Sequence, residues 1–277
     1  MKIGKKEFDL ENHCYVMGIL NVTPDSFSDG GKWNRIDAAK KHTGEMIRDG
    51  AAIIDIGGES TRPGYQNYQK ISDEEEISRV VPMIEMVKKE FDVPVSIDTY
   101  KSGVAEAALQ AGADLVNDIW GLKADDKLAG IIAKYDAPCC LMHNRNNTDY
   151  QDFRKELLDD LRETIAIAKK AGIKDEKIIL DPGVGFGKTY EQNLMAIHYM
   201  DDMKALGYPI LLGTSRKSVV GLTLDLPASE RVEGTMVTTV FGVMEGASFV
   251  RVHDVKENFR AVQMTEAILH DKKWTVE

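Results

Sequence analysis

The stretch YVMGILN, residues 15–21, is a short apolar run that ends at a polar residue, and runs of this kind recur along the chain. Seven more follow, at residues 51–58, 93–100, 114–120, 137–143, 178–186, 208–215 and 247–254. A stretch of helical pattern separates each run from the next. Because parallel strands reconnect through helical crossovers, eight repeats in about the ~250 residues of a (β/α)8 barrel predict that closed α/β fold, the TIM barrel. We expect residues 1–277 to form one domain.

The residues before the first run predict a short N-terminal β-hairpin. Ile3, Phe8 and Leu10 are apolar and flank a Gly-Lys-Lys turn, which is a hairpin pattern. We expect this hairpin to close the floor of the barrel and to have no role in chemistry.

The bulk composition limits the classes of function. With a net charge of −10 and no cluster of Lys or Arg, the chain is not expected to bind nucleic acid. No apolar run reaches the ~18 residues of a membrane span, and the first residues lack the apolar stretch of a secretory signal. The three cysteines are an odd number, two of them adjacent, so we expect reduced thiols. The composition therefore predicts a cytoplasmic protein without membrane association.

Polar residues end the runs, and the predicted fold brings them together. In a (β/α)8 barrel the carboxyl ends of the strands form one rim, where active sites lie. Three of the run ends are Asp98, Asn117 and Asp181. Carboxylates accept hydrogen bonds, whereas a carboxamide both accepts and donates. This set suits a heterocycle rich in N–H donors, such as the edge of a pterin or a guanine.

The last two run ends are cationic and predict an anion site. They read SRKS at residues 215–218 and RVHD at residues 251–254. In barrels the loops after the seventh and eighth strands often hold phosphate, so we expect a pyrophosphate there.

Asn21 ends the first run and has two possible roles, a cap on its own loop or a single protein ligand for Mg²⁺. Segments 21–34 and 57–71 are longer than a connection requires and predict binding loops or lids.

Residues 181–189 imitate a nucleotide-binding loop but do not match it. They read DPGVGFGKT, and the position that needs the first glycine of that loop is Pro182, which has no amide hydrogen to offer a phosphate. The sequence therefore argues against a nucleoside triphosphatase. It also contains no recognisable Ser/His/Asp arrangement or zinc-ligand spacing.

Taken together, the run ends resemble the dihydropteroate synthases, folate-pathway enzymes that join a dihydropterin to p-aminobenzoate. The resemblance spans nearly the whole chain. The motifs that carry it are NVTPDSFSDGG at 21–31, GESTRPG at 58–64, SIDT at 96–99, ND at 117–118, DPG at 181–183, SRKS at 215–218 and RVHD at 251–254.

The resemblance implies a homodimer that uses Mg²⁺ to condense 6-hydroxymethyl-7,8-dihydropterin pyrophosphate with p-aminobenzoate. Sulfonamides should compete for the p-aminobenzoate pocket. By position, the pterin ligands would be Asp98, Asn117, Asp181 and Lys217, with Ile119 and Met142 against the ring. The diphosphate and metal would be held by Asn21, Arg251 and His253. The p-aminobenzoate pocket would be formed by Thr61, Arg62, Pro63, Phe186, Lys217 and Ser218. The catalytic set would be Asn21, Asp29, Asp98, Lys217, Arg251 and His253.

A dissociative reaction fits these residues, because they offer charge stabilisation but no evident general base. Two positions depart from the family pattern, Gly187 and the pair Met236-Val237, and we expect Gly187 to loosen Phe186.

Two alternative functions stay open. One is a methyltransferase that moves a methyl group from methyltetrahydrofolate to a corrinoid. The other is a pterin-binding paralogue without catalytic activity.

Overall fold

The computed structural model describes residues 1–23, 32–59 and 71–275. Its centre is an eight-stranded sheet in which all neighbouring strands run parallel. A two-stranded antiparallel hairpin precedes it. The strands are β1 (Lys2–Ile3), β2 (Lys6–Glu7), β3 (Tyr15–Asn21), β4 (Ala51–Gly57), β5 (Val95–Asp98), β6 (Leu115–Asp118), β7 (Cys139–Met142), β8 (Ile178–Asp181), β9 (Leu211–Leu212) and β10 (Phe249–Val252).

The order of the strands makes the sheet a nearly closed barrel. Hydrogen-bonded neighbours follow the order β8-β7-β6-β5-β4-β3-β10-β9. A parallel bridge between Leu180 and Ile210 joins the two ends of that order, and the Leu180 N–H donates to the Pro209 carbonyl at 2.9 Å. The predicted (β/α)8 fold is confirmed, and each of the eight barrel strands, β3 to β10, lies inside one of the eight apolar runs.

Helices follow the strands of the barrel along the chain and cover its outside. They are α1 (Lys32–Arg48), α2 (Asp73–Glu90), α3 (Ser102–Gln110), α4 (Leu128–Lys134), α5 (Phe153–Lys170), α6 (Tyr190–His198), α7 (Ser218–Leu224), α8 (Val232–Met244) and α9 (Val255–Leu269). Short 3-10 segments lie at Asp175–Lys177, Met200–Leu206 and Ala228–Glu230. Within the described ranges, no helix is both long enough and apolar enough to cross a bilayer.

The core has two layers, one between strands and helices and one inside the barrel. In the inner layer Ile3 and Phe8 of the hairpin pack with Met17 and Phe249 of the strands. The Phe8 ring lies 4.8 Å from that of Tyr15 and 5.7 Å from that of Phe249, measured between centroids. The predicted hairpin therefore fills the floor of the barrel, and the opposite end carries the polar strand ends.

Truncating the hairpin aromatic should lower stability without changing the chemistry of the opposite rim. Phe8 is 1% exposed, and replacing a buried Phe by Ala costs about 3–5 kcal/mol because it leaves a cavity. We expect Phe8→Ala to lower the free energy of unfolding by that amount in urea denaturation. Leu194→Ala is the control, since Leu194 is 41% exposed. Equal losses in the two variants would contradict the role of the hairpin as a plug.

Candidate functional site

Four of the barrel strands place residues at or next to their carboxyl ends in one row. Register pairs Asn21 with Gly57, Gly57 with Asp98, and Asp98 with Asn117. Neighbouring strands lie about 4.8 Å apart, so this row is a continuous edge. A Cβ on Gly57 would lie 3.5 Å from the Asp98 carboxylate and 3.8 Å from Asn21 Oδ1. Both side chains therefore lie beside the Gly57 backbone, and the predicted convergence of these strand ends is observed here.

Arg251 reaches this row from β10 and joins two carboxylates. Its Nε donates to Asp55 Oδ2 and its Nη2 to Asp98 Oδ2, each at 2.6 Å. Asn117 Nδ2 also donates to Asp55 Oδ2, at 3.3 Å. Sequence reasoning did not single out Asp55. The available signal was a carboxylate inside the otherwise apolar strand AAIIDIG.

Burial and neighbouring charges shift the pKa values of Asp98 and Arg251. It raises the pKa of Asp98 to about 7, and the nearby Arg251 guanidinium opposes that shift while Asp55 adds to it. For Arg251, burial disfavours the charge, but Asp55 and Asp98 outweigh burial and raise its pKa above the ordinary value. Burial and Asp55 thus favour the protonated form of Asp98, and Arg251 favours its carboxylate.

Three buried polar atoms at this end of the barrel have no hydrogen-bond partner among the described residues. They are Asp55 Oδ1, Asp98 Oδ1 and Ser96 Oγ. Asp55 and Ser96 are register neighbours, two residues deeper than Gly57 and Asp98. Buried polar groups are usually paired, because leaving one unsatisfied costs about 1–3 kcal/mol. The mouth of the barrel therefore offers acceptors that a ligand with N–H groups would satisfy.

Asp181 and Lys217 form the other wall of the mouth. A Cβ on Gly213 would lie 3.6 Å from Asp181 Oδ2, 3.7 Å from Lys217 Nζ and 4.0 Å from Arg251 Cβ. These distances place the three groups around one point at the mouth of the barrel. Burial lowers the pKa of Lys217 to about 8, against the opposing pull of Asp181 and Asp98. Burial also raises the pKa of Asp181.

Apolar and aromatic side chains complete the described part of the site. Met142 pairs in register with Asp181, and both Met142 and Ile119 are buried. Lys217 Nζ donates to the Val184 carbonyl at 2.5 Å and lies 4.9 Å from the centroid of the Phe186 ring. Ser218 follows Lys217 as the exposed first residue of α7.

The two cationic motifs, at residues 215–218 and 251–254, contact each other at two points. The His253 N–H donates to Ser215 Oγ at 3.0 Å, and His253 Nδ1 lies 3.0 Å from the same oxygen, which fixes the ring beside the strand end. Arg216 donates through Nε to Asp254 at 2.9 Å, and its Nη2 pairs with the same carboxylate. Among the described residues, Arg216 is thus directed at Asp254, whereas Lys217 and Arg251 face the carboxylates of the mouth.

Several predicted positions lie outside the described residues. They are Asp29 of the first long loop and Thr61, Arg62 and Pro63 of the second, so their roles and the lid hypothesis stay predictions. Within the described ranges, no group of three or more His, Cys, Asp or Glu is placed to hold a metal ion.

The expectation that Gly187 loosens Phe186 is not supported. Gly187 has a φ of +54°, and a Cβ there would lie 2.4 Å from the Arg145 carbonyl oxygen. Its own carbonyl accepts from Tyr150 Oη at 2.9 Å. A left-handed backbone packed this closely requires glycine, so Gly187 fixes the segment that carries Phe186.

The chain matches a known protein family and is similar to characterised proteins over nearly its whole length. Residues 17–253 match the family model described as pterin binding enzyme. Dihydropteroate synthase from Clostridium beijerinckii is 64% identical over 97% of this chain and 99% of its own length. That from Bacillus subtilis is 53% identical over 92% and 88%.

Solved structures of similar proteins superpose closely. Dihydropteroate synthase from Clostridium difficile, in the presence of pteroic acid, has a TM-score of 0.91 at 52% identity, over 95% of this chain and 99% of that one. The Yersinia pestis enzyme in a sulfonamide drug complex gives 0.90 at 40% identity, over 98% and 99%. The Xanthomonas albilineans enzyme with 4-aminobenzoic acid gives 0.88 at 38% identity, over 93% and 94%.

Removing the guanidinium from the mouth should raise the pKa of Asp98. Arg251→Gln deletes the charge that opposes burial, so we expect a pKa above about 7. Asp55→Asn removes a like charge and should lower it. NMR titration of the Asp98 carboxyl carbon measures both shifts. Arg216→Gln is the control, because Arg216 pairs with Asp254 instead. Shifts of the opposite sign would contradict this account of the charges.

Proposed function

Because the chain belongs to the dihydropteroate synthases of the pterin-binding enzyme family, we propose that it condenses 6-hydroxymethyl-7,8-dihydropterin pyrophosphate with p-aminobenzoate. The products are 7,8-dihydropteroate and pyrophosphate. One observation carries the proposal for this chain. Asp98, Asn117, Asp181 and Lys217 gather at the carboxyl end of the barrel, where buried acceptors lack partners among the described residues.

The pterin would lie between the two walls of the mouth. Its N–H groups would donate to the carboxylates of Asp98 and Asp181, while the Asn117 carboxamide both donates and accepts. Ile119 and Met142 are buried nearby and would pack against the ring. The similar enzyme from Clostridium difficile, solved in the presence of pteroic acid, supports a pterin-containing ligand for this fold.

The diphosphate would be held by Asn21, Arg251 and His253. Arg251 pairs with Asp55 and Asp98. The same guanidinium would therefore lie between the diphosphate and the aspartates at the pterin site. The Asn21 carboxamide oxygen would be the protein ligand of a Mg²⁺ ion. That donor fits, because Mg²⁺ is often bound by one or two protein oxygens together with waters and substrate phosphates. The ion would supply positive charge that neutralises the diphosphate.

The p-aminobenzoate would bind beside the pterin. Phe186 and Ser218 flank Lys217, and the second long loop would add Thr61, Arg62 and Pro63. An Arg in this loop would bind the benzoate carboxylate through its planar fork. The similar enzymes solved with 4-aminobenzoic acid and with a sulfonamide support this pocket and its competitors.

The reaction would be dissociative. The bond between the pterin methylene carbon and the diphosphate oxygen breaks, and its electron pair leaves with the diphosphate. The lone pair of the arylamine then forms the C–N bond, and the amine releases a proton. The Asp98 and Asp181 carboxylates would favour positive charge on the pterin, and Arg251 would stabilise the leaving group. Asp29 and its loop would help to exclude water, which would otherwise capture the cation.

A homodimer is supported by an exposed apolar face on α8 and α9, two helices that pack together. Val237 and Met244 are seven residues apart on α8, and Met264 and Ile268 are four apart on α9. Such spacings place each pair on one side of its helix. All four side chains are more than half exposed. Contiguous exposed apolar surface marks interaction sites, and twofold homodimers are the commonest oligomers.

A cytoplasmic location is supported by the thiols. Cys14, Cys139 and Cys140 are free and buried. Unpaired cysteines are typical of reducing compartments.

Formation of dihydropteroate tests the proposed function directly. The purified protein is incubated with pterin pyrophosphate, p-aminobenzoate and Mg²⁺, and the product is identified by mass. We expect dihydropteroate and pyrophosphate in equal amounts. Binding of pterin without product would indicate the paralogue without catalytic activity. Methyl transfer from methyltetrahydrofolate to cobalamin would indicate the methyltransferase.

The two substrates should respond to different substitutions. Asp98→Asn removes a carboxylate from the pterin site and should weaken binding of pterin pyrophosphate and lower kcat by about tenfold or more. Ser218→Ala should mainly raise the KM for p-aminobenzoate, by about threefold to tenfold. Steady-state kinetics with each substrate varied in turn measure both. Unchanged profiles in the two variants would remove these assignments.

Charge on the apolar face should separate the dimer. We expect Val237→Glu combined with Met264→Glu to halve the mass measured by light scattering, because a buried unpaired charge is costly. Gln110→Glu adds one carboxylate to an exposed position on α3 and should leave the mass unchanged. A full-mass double variant would exclude this face as the interface.

A further inference from the structure

Lys188 is a buried cation that the proposed chemistry does not use. It follows β8 and the glycine-rich segment, and its side chain is almost completely enclosed, with 9% of the residue exposed. Three acceptors surround its Nζ. They are the Gly183 carbonyl at 3.0 Å, the Phe186 carbonyl at 3.0 Å and His143 Nδ1 at 2.8 Å. An ammonium group has three hydrogens to donate, so the charged form of Lys188 satisfies all three.

His143 is arranged to accept from Lys188. Its Nε2 lies 3.0 Å from Asp160 Oδ2, and Arg145 Nε donates to the same oxygen at 2.6 Å. An imidazole that donates from Nε2 to a carboxylate leaves a lone pair on Nδ1. Burial lowers the pKa of His143 to about 4, which agrees with a neutral ring. Burial also lowers the pKa of Lys188, to about 7, against the opposing effects of Asp181 and Asp160.

The two carbonyls that Lys188 binds are the ends of one tight turn. The Phe186 N–H donates to the Gly183 carbonyl at 3.1 Å. Gly183 has a φ of +70°, and a Cβ there would lie 1.8 Å from the His143 carbonyl oxygen, so the turn is packed directly against β7. The turn ends in Phe186, whose ring contacts Lys217.

Other contacts hold single groups of the turn or the backbone beside it, but none of them joins its two ends. Asp181 Oδ1 accepts from the Gly183 N–H at 2.6 Å, and Lys217 Nζ donates to the Val184 carbonyl at 2.5 Å. Asn193 Oδ1 accepts from the Gly185 N–H at 2.5 Å, and Tyr150 Oη donates to the Gly187 carbonyl. The Thr189 side chain caps α6 directly after Lys188. Lys188 is thus the described side chain that binds both ends of the turn and joins them to β7 through His143.

We propose that Lys188 is a positioning residue of the arylamine subsite, which bridges the Gly183 and Phe186 carbonyls and so holds the Phe186 ring against Lys217. The assignment rests on the proposed function in one respect, the place of Phe186 in the p-aminobenzoate pocket. Lys188 touches no reacting atom. It acts through the conformation of the turn, with His143 and Asp160 as its support.

A double-mutant cycle between Lys188 and Phe186 tests this. Lys188→Met keeps most of the side-chain volume and removes every donor, so we expect the KM for p-aminobenzoate to rise about tenfold, while the KM for pterin pyrophosphate stays within about twofold. Phe186→Ala should raise the same KM. In the double variant Lys188→Met should add no more than about twofold, because the ring that it positions is gone.

The matched control is Lys177→Met. Lys177 Nζ also donates to a backbone carbonyl, that of Asp136 at 2.9 Å, but it lies before β8, at the opposite end of the barrel. Both KM values should be unchanged. If Lys188→Met does not yield folded protein in thermal unfolding, Lys188→Gln retains an amide donor. It should then give a smaller rise in the KM for p-aminobenzoate, and the cycle is run with it.

The outcomes separate the two proposals. Independent effects of the Lys188 and Phe186 substitutions, or equal rises in the KM values of both substrates, would overturn the positioning role while leaving the enzyme assignment intact. Absence of dihydropteroate from the unmodified protein would overturn the proposed function instead.

Discussion

The mouth of this barrel depends on the pairing of one guanidinium with two buried carboxylates. Arg251 comes from the last strand, Asp55 and Asp98 from the second and third strands of the barrel, and both contacts are 2.6 Å long. Two carboxylates so close would repel strongly in a medium of low dielectric constant, and isolated buried charges are costly. The guanidinium compensates the charge of both carboxylates, and it also ties the last strand to the second and third strands of the barrel.

The two ends of the barrel differ in polarity, and this pairing lies towards the polar end. The floor of the barrel is apolar and filled by the hairpin residues Ile3 and Phe8. Asp55, Asp98 and Arg251 lie at the other end, towards the carboxyl rim. The net charge of −10 does not describe this region, because Lys217 and Arg251 place positive charge among buried acids. An anionic substrate meets that local field, and solvent screens the distant surface charges.

The polar residues of the rim form two tiers, a first tier that lines the mouth and a second tier that lies behind it. Asp98, Asn117, Asp181 and Lys217 line the mouth, while His143, Asp160 and Lys188 lie behind it and bind backbone and one another. The second tier fixes a turn rich in glycine, which by itself has a large conformational freedom. Such supporting contacts are what hold side chains at a site within the small tolerances that binding requires.

The sequence by itself determined the alternation of strands and helices, the closed barrel, the hairpin plug and the positions at which polar residues end the strands. These follow from local patterns, since apolar runs bounded by polar ends form strands wherever they occur, and the topology of a parallel barrel places their carboxyl ends together. The tertiary structure alone decided which groups pair. The carboxylate of Asp55 stands out within an apolar strand but does not indicate its partner, and nothing local to His143 or Lys188 indicates that they pair. Arg216 resembles Lys217 in the motif but is paired with Asp254. Partners such as Asp55 and Arg251 lie 196 positions apart along the chain, and only the register and curvature of the closed sheet bring their side chains into contact.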